Sequence, residues 1–133
     1  MDLPDSSKST GELMLPEEAK LIAPRQLAHL GDAVFALYER EREIMLSVSV
    51  KQMHERVAHR SSAVVQAELL QKIADSLTDA EKEIVRRARN IKAPSGRSGG
   101  QDKYRQSTAF EALLGYLYLT SRRRLNDLLA MTI

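Results

Sequence analysis

The stretch LAHLGDAVFALY, Leu27 to Tyr38, sets one acid, Asp32, directly after a glycine inside an apolar helical pattern. Leu27, Leu30, Val34, Leu37 and Tyr38 recur at three- and four-residue steps, the period of a helix with one buried stripe. Asp32 falls off that stripe, about 200° from Leu30 at roughly 100° per residue. Most single acids so placed are solvated surface residues. The neighbouring Gly31 would let another backbone or a ligand approach closely, and this marks Asp32 for a chemical question.

Working outward, the helix of Asp32 is expected from about Arg25 to Met45, its charged end Glu39 to Glu43 (ERERE) facing solvent. Before it, residues 1–15 read as a mobile arm, Pro16 can open a short helix, and Pro24 forces a break. After it, Ser49 reads as the cap of a second helix to about His59, with Val50, Met53 and Val57 on one face. A third runs from about Ser62 to Ala74, with Val65, Leu69, Leu70 and Ile73 inward. Thr78-Asp79-Ala80-Glu81 has the capping-box pattern and starts a fourth helix to about Asn90. Ile91 to Lys103 (IKAPSGRSGGQDK) collects Gly, Ser and Pro with Lys92, Arg97 and Lys103, and reads as a cationic loop. Asp102 can cap a fifth helix through Leu119, and a short sixth starts within Ser121 to Arg124. No strand pattern or internal repeat emerges, so the fold class is all-α, a single domain over residues 16–133 with six to seven helices.

Composition excludes several classes. The chain has 133 residues and no cysteine, so disulfides and thiolate metal sites are ruled out. Without Trp, and with only 5% aromatic residues, a broad base-stacking platform is not expected. A net charge of +2 and a pI near 9.0 are compatible with a polyanionic partner. No apolar run approaches the ~20 residues of a membrane span, so a cytoplasmic location is the expectation.

A second constellation lies in STAFEALLGYLYLT, Ser107 to Thr120. Phe110, Leu113, Leu114 and Leu117 form its apolar stripe, and Glu111 sits at the margin with Gly115 one turn later. A mid-helix glycine costs about 1 kcal/mol relative to alanine, which a close helix crossing would offset. Two glycine-flanked acids on helices apolar enough to pair suggest that Asp32 and Glu111 meet. Such a pair can bind Mg²⁺, which takes oxygen ligands, keeps waters and accepts phosphate oxygens. The plainer reading is that Asp32 caps or pairs locally while Glu111 meets an arginine, and spacing alone does not separate the two. His29, His54 and His59 make no zinc pattern, and Arg122 to Arg124 read as a solvated charge run.

Four blocks, LGDAVFALY, HERVAHRSSAVVQA, RRARNIKA and YRQSTAFEALLGYLYLT, occur in this order between Leu30 and Thr120. In them the chain resembles the ribonuclease III catalytic domain, specifically its compact Mini-III branch. The resemblance implies a dimeric all-helical endonuclease domain that cleaves double-stranded RNA with Mg²⁺, leaving 5′-phosphate and 3′-hydroxyl ends. It carries Asp32 and Glu111 over as metal ligands and water activators. The wider family places further acids where this chain has Ala28 and Thr108, and the Mini-III branch is similar to this chain in lacking both. By the same resemblance the substrate is precursor 23S ribosomal RNA of the large subunit, with a ribosomal protein as a possible further partner. No double-stranded-RNA-binding domain is expected, and RNA contact is expected from Arg89, Lys92, Arg97, Lys103 and Arg105, with Arg86 and Arg87 equally explained as helix C-terminal cations. A non-catalytic RNA-binding or ribosome-associated domain is the alternative that Ala28 and Thr108 support.

Overall fold

The computed structural model describes residues 13–91 and 101–133, and among these every regular element is helical. The helices are α1 (Pro16–Ala19), α2 (Pro24–Leu46), α3 (Val50–Arg60), α4 (Ala63–Ile73), α5 (Asp79–Arg89), α6 (Gln101–Thr120) and α7 (Arg122–Ala130), with a 3₁₀ turn at Ala74–Ser76. The all-α class is borne out. Residues 1–12 of the expected arm and residues 92–100 of the expected loop, including Lys92 and Arg97, lie outside the described residues. None of the described helices is long and apolar enough to cross a membrane.

Local chemistry sets the boundaries. Ser49, Ser62 and Ser121 each cap a helix, accepting from the amides of Gln52, Val65 and Arg124. Thr78 and Glu81 complete the reciprocal capping box. Pro24 begins α2 instead of merely ending what precedes it, since a first-turn position wants no amide donor. Asp102 stands within the first turn of α6, so it does not cap that helix, and Lys103 and Arg105 belong to α6 and do not precede it.

α6 is the axis of the domain. Ala109, Phe110, Ala112, Leu113 and Leu114 are fully buried, because α2, α4 and α5 surround the helix instead of covering one side. Phe110 meets Phe35 of α2 edge to face, with ring centroids 5.4 Å apart.

Three expectations are corrected at the periphery. Leu37 and Val50, placed on buried stripes by period, are 58% and 70% exposed. The ERERE end of α2 is not wholly solvent-facing, for Glu39 and Glu43 are buried. Glu39 binds Arg60 and Arg42, and Glu43 binds Arg56 and Ser47. Arginines from α3 and from α2 itself supply the opposite charges and hydrogen bonds that a buried carboxylate needs. Arg124 likewise leaves the expected solvated run to pair with Glu81, while Arg122 lies over the Tyr118 ring.

Candidate active site

α2 and α6 cross at their glycines. A Cβ on Gly31 would lie 1.7 Å from the Glu111 carbonyl oxygen, and one on Gly115 would lie 2.0 Å from the Leu27 carbonyl oxygen. Only hydrogen side chains permit this main-chain approach, which accounts for two glycines in helix interiors.

The crossing brings Asp32 and Glu111 together, their carboxyl groups within reach of one another. Asp32 is exposed whereas Glu111 is partly buried. Burial, then the hydrogen bond and charge of Asp32, push the Glu111 carboxyl up to about 8, with the Gln66 amide acting weakly in the opposite direction. Near neutral pH the Glu111 carboxyl is therefore held towards its protonated form. The plainer reading in which Glu111 meets an arginine is not what the structure shows.

Around the pair is a cleft of about 350 Å³ lined by Arg25, Ala28, His29, Asp32, Ile91, Tyr104, Ser107, Thr108 and Glu111. Two matching stripes build it. Arg25, Ala28, His29 and Asp32 follow one face of α2, and Tyr104, Ser107, Thr108 and Glu111 follow one face of α6 at the same three- and four-residue steps. Ala28 and Thr108 stand beside the two acids and add no charge. No third His, Cys, Asp or Glu groups with the pair among the described residues.

Of the cations singled out in the sequence, Arg89, Lys103 and Arg105 are exposed and none lines this cleft. Arg89 borders a separate groove with Lys82 and Arg86. Arg86 pairs with Glu83, and Arg87 donates to the Lys20 carbonyl oxygen, so both serve local contacts. Arg25, the cation that lines the cleft among the described residues, was missed. Its signal was available, since it lies seven residues before Asp32 and so on the same helix face. Gln66 was missed as well: it is fully buried behind Glu111 and accepts a hydrogen bond from Ser107.

A ribonuclease III domain profile matches residues 25–122, a span that contains both acids and the crossing. The chain belongs to the ribonuclease III domain family. Among curated relatives, the Mini-ribonuclease 3 of Synechocystis is 42% identical over 110 residues, covering 83% of this chain and 77% of the relative. The Mini-ribonuclease 3 of Synechococcus is 41% identical, covering 97% of this chain and 94% of its own. A crystal structure of a Fusobacterium nucleatum protein superposes with a TM-score of 0.71 at 28% identity, covering 83% of this chain and 88% of that one. The resemblance to the Mini-III branch is thereby borne out, and with it the class of activity, an endoribonuclease of the ribonuclease III type.

The site of this ribonuclease III domain suits a hard divalent cation. The two carboxyl groups that meet there offer oxygen donors, and two acids so close favour a positive charge between them. Mg²⁺ needs only one or two protein carboxylates when water and phosphate supply the rest.

Proposed function

We propose that this ribonuclease III domain hydrolyses double-stranded RNA in a Mg²⁺-dependent reaction at Asp32 and Glu111, leaving 5′-phosphate and 3′-hydroxyl ends. The observation that carries the reading is the pair itself, two carboxyl groups held together by a main-chain crossing at the floor of an open cleft. A bound Mg²⁺ would polarise the scissile phosphodiester and lower the pKa of an attacking water. Asp32, exposed, and Glu111, once ionised, would hold it between them. Arg25 on the same face of α2 offers a cation to a phosphate entering the cleft.

RNA binding on this reading draws on the exposed Arg89, Lys103 and Arg105, with Lys92 and Arg97, as phosphate contacts that position a duplex without reading its sequence. The substrate is precursor 23S ribosomal RNA in the cytoplasm, with a ribosomal protein as a further partner; this rests on the Mini-III relationship. A homodimer is supported by Leu37, Ile44, Met45, Leu46, Val48 and Val50, apolar and exposed through the end of α2 and the start of α3. Monomeric proteins rarely leave so much apolar surface uncovered.

Incubation of duplex RNA and Mg²⁺ with wild type, Asp32→Asn and Glu111→Gln tests the reading. Cleavage by wild type is expected, with a loss of at least about 100-fold in each variant. If wild type binds duplex and leaves it intact, hydrolysis is not the function; if both variants cut at the wild-type rate, the site lies elsewhere. Sedimentation of Met45→Asp beside wild type tests the dimer, which should dissociate in the variant.

A further inference from the structure

One polar side chain stands in the contact between α4 and α6. Gln66 is fully buried, and its Oε1 accepts from Ser107 Oγ at 2.7 Å. Ser107 precedes Glu111 by one helical turn, so both face the same neighbour on α4. The amide oxygen takes the Ser107 hydroxyl while an ionised Glu111 carboxylate can only accept, so oxygen to Ser107 and nitrogen to Glu111 is the arrangement that satisfies both neighbours. The nitrogen is thereby directed to the other side. Gln66 Nε2 lies beside the Glu111 carboxyl, yet completes no hydrogen bond of full geometry. Glu111 is meanwhile engaged with Asp32. A buried amide donor without a partner is uncommon and calls for a reason.

We propose that Gln66 is a positioning residue for Glu111: its Nε2 donates to the Glu111 carboxylate when that carboxylate holds a divalent cation, and Ser107 anchors the amide by its oxygen. The inference rests on the divalent-cation reading above and extends it from the two acids to the residues behind one of them. With Ala28 and Thr108 contributing no charge, the orientation of each remaining carboxylate carries more of the affinity. An amide on one Glu111 oxygen leaves the other for the ion, and groups standing behind a ligand in this way commonly set metal affinity by about 10- to 100-fold. A buried glutamine serving only Ser107 would leave cation affinity unchanged.

Calorimetric titration of Mn²⁺ into the RNA-free protein separates these roles. Gln66→Leu, which keeps the volume and removes the amide, is expected to bind Mn²⁺ about 10- to 100-fold more weakly than wild type. Ser107→Ala, which removes the hydrogen bond that anchors the amide oxygen, should weaken binding in the same direction by less. In Gln66→Leu kcat on duplex RNA should fall while KM is unchanged. In the wild type, the side-chain amide signals of Gln66 should shift on saturation with Mg²⁺. Affinities within about twofold of wild type in both variants, with helicity intact by circular dichroism, would overturn the role of Gln66 and leave the metal reading standing. Should Gln66→Leu not fold, Ser107→Ala decides by the same criterion. A wild type that binds no divalent cation would overturn the metal reading, and this inference with it.

Discussion

The Glu111 carbonyl oxygen rests against Gly31 so closely that a Cβ there would sit 1.7 Å away. The clash is with main chain, which cannot swing aside as a side-chain tip can. The spacing of the two acids is thus fixed by backbone contact.

Gly31→Ala makes the sign of its effect diagnostic. In an isolated helix this change would stabilise by about 1 kcal/mol. Here it should destabilise by about 3 kcal/mol or more, at or beyond the top of the overpacking range, because α2 and α6 must move apart. Urea unfolding measures it, and a neutral or stabilised variant would show that the helices separate freely.

Stability without metal should depend on pH through Glu111. Its carboxyl titrates near 8 in the folded protein against a reference of 4.5. Between those values the folded state holds the extra proton, so the contribution is full below the lower value and is lost as pH rises through the upper one. The slope is at most about 1.4 kcal/mol per pH unit. Denaturation of the wild type should show stability declining with pH across this window, a decline that Glu111→Gln abolishes. Since a cation must displace the same proton, Mg²⁺ affinity should climb with pH over the same window.

Arg60→Ala should be more damaging than its partly exposed position suggests. Arg60 binds Glu39 and also donates to the carbonyl and hydroxyl oxygens of Thr132. Its loss leaves a fully buried carboxylate with Arg42 alone, for an expected cost of about 3–5 kcal/mol. Pairing Arg60→Leu with Glu39→Leu should recover much of that loss, as thermal unfolding of the single and double variants would reveal.

Affinity for duplex RNA should fall steeply with added salt, because phosphate neutralisation releases counterions. Removing a true phosphate contact by Arg105→Ala or Arg25→Ala should lower the slope of log K against log salt by about 1. Filter binding at several salt concentrations reads this, and an unchanged slope for Arg105→Ala would remove it from the RNA surface.

Helix periods, capping residues and the two glycines made most of the fold and the acid pair readable from the chain alone. The misreadings share a physical cause. Glu39 and Glu43 look solvated because a carboxylate is normally so, and their partners Arg56 and Arg60 lie on another helix whose angle no local pattern gives. Leu37 and Val50 sit on apolar stripes, but neither is covered among the described residues. Gln66 hides in the opposite way, as a polar residue between Val65 and Ala67 whose importance depends on what α6 presents to it. Arg25 was overlooked although helical spacing alone places it with Asp32.

Because α6 is the helix on which α2, α4 and α5 all rest, the chemistry of Glu111 is carried by the most integrated part of the molecule. Loops and lids can be unfolded and refolded at little cost, and many enzymes are switched off that way. Here silencing the site by disorder would require melting the domain. On the function proposed, control among the described residues would then fall to the supply of cation and the shape of the RNA offered to the cleft.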